Sequence, residues 1–553
     1  MADDKLEIIP LGGVGVFGMN MMAMRCGGEA IIIDAGMGFP EEDAPGVDIV
    51  IPDFNFIDQY RDEISAIVLT HGHEDHIGAV PFVLKEVNVP VYGTHLTLAL
   101  LENKLQEHGL SDSTTVHAVE SRDRVALGNF EVEWIHVTHS LTSCTAVAVT
   151  TPVGVVIHSG DFKIDETPVV GPPTDLERLI EYGDRGVLAL LADSTNAERP
   201  GRTQSERAVA PALEKIFEEA QGRIVLSCFT SSVHRLQIVL DLARDYGRRV
   251  ALLGRSMLRN VEVADSLRQL DIPDGIFVSP SEARHMDDDQ LLLLAAGCQG
   301  DPMSAMTKLA TDQHKNLSVS EGDTVVLSAR QIPGNEGAIS RLISHCYKRG
   351  AQVIDSSVAR VHVSGHGSQE DLKILIEATR PKFLVPIHGE HRQLYRHRDW
   401  AATLGVVEPE NIIVFENGDV LEFGDSSAEI TATESVGRTF IDSSYEHVED
   451  MVVRDRKHLS YDGIVVAIVA INPKSGELES EPELVTRGFI HEVDSTEMLA
   501  ELRQLVEQTV TSATHEEQID YAVIKEKIRV ALKRFIQKAT GRRPMIIPVV
   551  VEV

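Results

Sequence analysis

The run Thr70-His71-Gly72-His73-Glu74-Asp75-His76-Ile77-Gly78 places three histidines and an aspartate within six residues. Neutral imidazole and carboxylate are ligands of zinc-like ions. Ligands this dense in one short turn cannot all face a single ion. The pattern therefore points to two adjacent divalent metals, Zn2+ first, with Mn2+ or Mg2+ as alternatives, and to hydrolytic chemistry. The apolar run Ser65–Leu69 precedes the turn and the helix-like Ala79–Leu84 follows it. The ligands thus sit where a buried strand ends and a helix begins, the edge at which α/β sheets build their sites.

The same placement recurs along the chain. Strands are expected at Leu6–Pro10, Ala30–Asp34, Ile64–Thr70, Val155–Asp161 and Val187–Asp193, so Asp161 and Asp193 stand at strand ends as His71 does. A second α/β pattern follows: a strand at 223–227, a helix from Val233 to Tyr246 stopped by Gly247, and a strand at 249–253. The first style then resumes over 359–366 and 383–390, which sets His366 and His388 at strand ends. The simplest topology is a catalytic domain interrupted by an inserted α/β domain. The expected divisions are 1–205, an insertion over 206–355, completion of the first domain over 356–425, a polar linker over 426–458, and a terminal module over 459–553. In that module strands are expected at Ile464–Ile471 and 545–553, and helices near 495–511 and 519–540.

A chain of 553 residues is too long for one simple core, and 43% apolar with 25% charged residues is ordinary for a globular protein. No run of about 18 apolar residues occurs, and Met1–Lys5 lacks signal-peptide character, which predicts a cytoplasmic protein with no membrane partner. Cys26, Cys144, Cys228, Cys298 and Cys346 form no C-x-x-C pair and suit buried side chains in a reducing compartment. The net charge of −34 argues mildly against a phosphate-rich partner. Net charge sets long-range fields rather than one groove, however, and two divalent ions invert the local sign. Tyr521–Arg543 carries eight Lys or Arg against the single acid Glu526, an asymmetry that suits RNA, an acidic neighbouring subunit or a solvated face.

The H-x-H-x-D-H run, with Thr138-His139-Ser140 and Gly160-Asp161-Phe162-Lys163, resembles the signature of the metallo-β-lactamase superfamily. Asp193-Ser194-Thr195-Asn196, Ser364-Gly365-His366 and Pro386-Ile387-His388-Gly389-Glu390 resemble motifs A, B and C of its nucleic-acid-cutting β-CASP branch. Leu11–Gly15, Gly254–Met257, Gln299–Ser304, Ile332–Glu336, Arg454–Leu459 and Arg542–Ile546 are similar to blocks of the ribonuclease J family. Val16 and Met19 depart from that family's acidic residue and lysine, and Leu141–Cys144 from its Ile-Pro-Asp-Ser. The resemblance implies an α/β fold: a metallo-β-lactamase αββα sandwich interrupted by a β-CASP domain, plus a small C-terminal α+β domain. It further implies a metal-dependent ribonuclease with 5′-to-3′ exonuclease and endonuclease action on single-stranded RNA, serving RNA maturation and mRNA decay. Products would carry 5′-phosphates, and the C-terminal domain would make a homodimer or homotetramer. A small-molecule metallohydrolase and a non-catalytic RNA-binding scaffold are the alternatives. The insertion and the 364–390 blocks stand against the first, and the complete ligand set against the second.

The resemblance also implies roles. His71, His73 and His139 hold one ion, Asp75, His76 and His388 the other, and Asp161 bridges them. The ions activate water and polarise the scissile phosphate. His366 protonates the leaving oxygen or braces the phosphate, unless it is a structural turn histidine, and Asp193 orients a ligand histidine. Beside His366, the small residues Ser364, Gly365 and Gly367 offer backbone amides to RNA phosphate. Ser231, Ser232, His234 and Arg235 stand at a strand-to-helix turn and are expected in a pocket for a 5′-monophosphate, with helix capping by either serine as the alternative.

Overall fold

Two facing sheets carry the ligand-bearing turns. One has eight strands, in the order Ala428–Thr433, Asp419–Phe423, Leu6–Gly12, Met21–Cys26, Glu29–Ile33, Ile64–Val68, Val91–Thr94 and Val116–Val119. The other has six, in the order Phe383–Ile387, Ala189–Asp193, Val155–His158, Cys144–Thr150, Phe130–Val137 and Arg124–Leu127. Ile8, Met24 and Val68 from the first meet Trp134, Val147, Leu191 and Val385 from the second in one apolar layer. The helices Leu176–Arg185 and Gln369–Thr379 bury Leu179 and Leu372 in the adjoining core, against Ile157 and Leu190. Ala189–Asp193 pairs in parallel with Val155–His158 on one side and Phe383–Ile387 on the other, so the returning chain completes the sheet that the insertion interrupts.

The insertion is a five-stranded parallel sheet in the order Arg249–Leu253, Leu291–Ala295, Ile224–Cys228, Thr324–Ser328 and Gln352–Ile354. Every residue of the interior strand Leu291–Ala295 is buried, which is why this strand reads as an unbroken apolar run rather than an alternation. The helices Val233–Asp245, Arg255–Ser266, Ala305–Thr311 and Glu336–Lys348 connect these strands.

This computed structural model describes all residues except 1–4, 41–43, 333, 425–426, 491–495 and 514. Met1–Asp4, Pro333 and Ser495, which entered the sequence reading, lie outside the described residues. The chain divides into two compact units, Met1–Phe39 with Ile51–Arg438, and Pro40–Val50 with Thr439–Val553. The second unit holds the sheet Glu483–Arg487, Ile464–Ile471, Met545–Glu552, and its helices Thr496–Thr511 and Tyr521–Thr540 bury Leu502, Val506, Ile528 and Leu532 against it. All five cysteines are buried, and no described helix is long and apolar enough to cross a membrane.

Two expectations are corrected. The stretch 426–458, expected as a polar linker, carries regular structure: Ala428–Thr433 pairs with Asp419–Phe423, and Asp450–Asp462 is a helix. Ala428–Thr433 is an edge strand exposed along most of its length. The segment 359–366 forms no strand. Buried side chains take the place of a neighbouring strand there. Arg235 and Ser328 donate to the Val361 carbonyl, and Lys163 donates to that of Ser364.

Candidate metal centre

The strands stop short of the ligands. Ile64–Val68 ends two residues before Thr70, and Val155–His158 three before Asp161. Thr145 donates to the Thr70 carbonyl through both its amide and its hydroxyl, and Trp134 Nε1 donates to the Leu69 carbonyl. The chain then turns into one helical turn, Glu74–Ile77, whose His76 is buried. That turn is laced to a second loop: Asn20 N donates to Asp75 O, Met37 N to Glu74 O, and Ala35 N to His76 O. A Cβ at Gly36 would lie 1.6 Å from the Asp75 carbonyl, so only glycine permits this approach. Glu74 faces outward and bonds Lys104.

The ligand atoms form two groups that share Asp161. His71 Nε2 is 3.0 Å from His73 Nδ1, which is 3.2 Å from His139 Nε2. Asp161 Oδ2 lies 3.7 Å from His71 Nε2 and 3.8 Å from His139 Nε2. Asp161 Oδ1 instead faces His76 Nε2 at 3.4 Å and His388 Nε2 at 3.3 Å. Asp75 Oδ2 closes this second group, 3.5 Å from His388 and 3.7 Å from His76. A tetrahedral ion with ligands at ~2.0–2.1 Å would separate them by about 3.4 Å, close to these spacings. Asp161 Oδ1 and His388 Nε2 are both buried without a hydrogen-bond partner, a cost that a shared cation removes. The donors present therefore fit divalent metal.

Each histidine's other nitrogen is held from behind. His71 Nδ1 meets Thr70 Oγ1 at 3.0 Å, His139 Nδ1 meets the Gly365 carbonyl at 2.8 Å, and His388 Nδ1 meets Thr195 Oγ1 at 2.8 Å. His76 Nδ1 meets Asp34 Oδ2 at 2.7 Å, and Asp34 also accepts from the Thr70 amide and hydroxyl. Such contacts fix ring orientation and raise ligand basicity. Sequence reasoning left Asp34 as a strand terminus with no role. Its signal was a carboxylate straight after Ile31-Ile32-Ile33, at the same sheet edge as His71.

Burial lowers the pKa of His71 and His139 and brings His73 to about 4, so this trio is neutral and ready to bind metal. In the second group burial acts the same way, but the carboxylates outweigh it. Asp161, Asp75 and Asp34 raise His76, and Asp161, Asp75 and Asp193 take His388 up to about 9. Asp161 and Asp75 are held low in return, against burial, chiefly by His388 and His76 respectively.

His366 Nδ1 meets Asp193 Oδ2 at 2.8 Å, while Asp193 Oδ1 lies 3.5 Å from His388 Nδ1. Asp193 thus spans two histidines, and His366 is partly exposed above the ligand groups. Ser364 and His366 are both tied to Asn196 Nδ2, through Oγ and the carbonyl. Gly365 packs against the His139 ring, and Gly367 N donates to the Phe162 carbonyl.

In the 231–235 turn, burial runs against the expected use of Ser232, His234 and Arg235. Arg235 is 1% exposed. Its Nη atoms donate to Glu206 Oε2 at 2.8 Å, the Val361 carbonyl at 2.8 Å, the Ser328 carbonyl at 3.1 Å and the Ser328 hydroxyl, so they are engaged within the protein. His234 is buried and accepts from the Val170 amide. Ser232 is buried at the helix N-cap without a side-chain capping bond, and only Ser231 keeps partial exposure. The departing loops are nearby: Met19 has φ 56° and its carbonyl abuts Gly12, while buried Leu141 packs over Gly72.

The chain matches the metallo-β-lactamase superfamily over residues 14–199, the β-CASP domain of ribonuclease J over 221–346, the RNA specificity domain of Zn-dependent metallo-hydrolases over 352–414, and the ribonuclease J C-terminal domain over 451–553. It is 38% identical over 545 residues to a Helicobacter pylori protein named Ribonuclease J, covering 98% of this chain and 79% of that one. The Thermus thermophilus Ribonuclease J is 39% identical over 557 residues, with 99% and 96% covered, and Bacillus subtilis Ribonuclease J2 is 36% identical over 551 residues, with 100% and 99% covered. A solved structure of an Enterococcus faecalis protein of unknown function shares the fold at TM-score 0.53 and 15% identity, covering 76% of this chain and all of that one.

Proposed function

Since this chain belongs to the ribonuclease J family of metal-dependent ribonucleases, we propose that it hydrolyses single-stranded RNA from the 5′ end, with internal cleavage as a second activity, at a centre of two divalent ions. The observation that carries this reading is Asp161, whose two oxygens serve two separate histidine groups. His71, His73 and His139 would hold one ion, Asp75, His76 and His388 the other, and Asp161 would serve both groups, with Zn2+ the ion most suited to so many imidazoles. When bound, the pair supplies Lewis-acid polarisation of the phosphate and water of lowered pKa.

The protein's own groups do the rest. Asp193 fixes the His366 ring, which delivers a proton to the departing 3′-oxygen and leaves the 5′-phosphate on the downstream product. The Ser364–Gly367 turn, braced by Asn196 and by Lys163 on the Ser364 carbonyl, receives the terminal phosphate. A triphosphate adds bulk and charge there, so monophosphorylated RNA is preferred. A homo-oligomer formed through the terminal domain and a cytoplasmic location belong to the same reading. The test is digestion of one RNA carrying 5′-triphosphate, 5′-monophosphate or 5′-hydroxyl ends, with products sized over time. Mononucleotides released fastest from the monophosphate form are expected. Equal rates with internal products alone would make the enzyme an endonuclease.

A further inference from the structure

Arg330 follows the inserted-domain strand Thr324–Ser328, and its Nη1 donates to Asn196 Oδ1 at 3.2 Å. Asn196 is buried, and its amide nitrogen donates to Ser364 Oγ and to the His366 carbonyl, both at 2.9 Å. One side chain therefore links the Arg330 guanidinium to the turn that carries His366. Arg330 stays exposed to solvent, and no ion pair joins it to a described carboxylate. The partner it has is a neutral amide oxygen. Its charged neighbours are of its own sign: partial burial lowers its pKa first, and Arg199 lowers it further. His362 feels Arg330 as a repulsive charge as well. An exposed guanidinium beside a second cation, and joined through Asn196 to the turn that carries His366, is open to an anion arriving from solvent. The guanidinium fork matches phosphate oxygens, and most protein–nucleic acid bonds go to that backbone.

We propose that Arg330 contacts a backbone phosphate of RNA lying beside the Ser364–Gly367 turn, with Arg199 strengthening the positive field there. The inference rests on the ribonuclease reading above and adds to it a substrate-binding residue contributed by the inserted domain.

The test uses the full metal-loaded protein and a 5′-monophosphorylated 20-nucleotide single-stranded RNA. KM and kcat are measured for wild type, Arg330→Gln and Arg330→Lys over a series of KCl concentrations, with thermal melting alongside. Arg330→Gln is expected to raise KM roughly tenfold with little change in kcat or melting. It should also reduce the slope of log KM against log salt by about 0.7, the share of one phosphate on a single strand. Arg330→Lys should keep the slope and recover part of the KM. An unchanged KM and slope, or a loss of kcat and melting temperature that lysine does not restore, would make Arg330 a structural strap for Asn196 and overturn the proposal. A wild type that binds metal but cuts no RNA would remove the ribonuclease reading, and this inference with it.

Discussion

Replacing Arg235 with alanine separates two pictures of the 231–235 turn. In the structure Arg235, Glu206 and Lys163 form a buried ionic cluster, with Glu206 2.8 Å from Arg235 and 3.4 Å from Lys163. Burial pushes the Glu206 carboxyl up, but Arg235 and Lys163 outweigh it and hold the group at about 2, against an ordinary 4.5. That displacement corresponds to roughly 3 kcal/mol favouring the charged form. Breaking a buried pair from one side costs about 3–5 kcal/mol, which is the same order. Arg235→Ala also strips donors from the carbonyls of Ser328 and Val361. We expect amide exchange to quicken by a factor of about 100 or more across Thr324–Ser328 and the 359–366 segment. The triple variant Lys163→Met/Glu206→Leu/Arg235→Met should recover much of the loss, because it removes all three buried charges together. The sign with pH follows from the depressed carboxyl. The cluster's contribution is whole above pH 4.5 and fades as pH falls from there toward 2, and Glu206→Gln should flatten that dependence. Wild-type exchange in Arg235→Ala, combined with loss of the preference among RNA 5′ ends, would refute the reasoning and put the guanidinium in the substrate pocket.

Asp34→Asn should weaken metal retention by about 10- to 100-fold, because it removes the carboxylate behind His76, and titration with a competing chelator reads this directly. Protein purified without chelator should approach two transition-metal ions per chain by elemental analysis, and chelation should abolish RNA cleavage. A firm stoichiometry of one in active protein would exclude a binuclear centre. Gly365→Ala would set a Cβ 2.6 Å from the His139 ring and 2.9 Å from the Ser140 amide. It should therefore cost metal affinity and turnover at an otherwise folded protein, as judged by circular dichroism.

Much of this molecule was legible from residues alone. The 71–76 run shows its metal-binding character through residue types packed at a strand end, Asp161, His139 and His388 come as ligands only through the resemblance to the superfamily's motifs, and the insertion shows as a second run of strand and helix patterns. Three things depended on the tertiary structure. The strand-like 359–366 segment is held by Lys163, Ser328 and Arg235, whose carbonyl bonds cross roughly 30 to 200 positions of chain and leave no local pattern. Arg235 sits in an anion-site-like turn, yet its burial against Glu206 is fixed only when the inserted domain packs. Asp34 and Asn196 owe their roles to distances of 2.7 and 2.9 Å to residues far along the chain. Sequence chemistry names the groups that can hold a metal. Only the packing of separated segments decides which carboxylate supports a ligand, which arginine is buried as a structural ion, and which stays free to meet a phosphate.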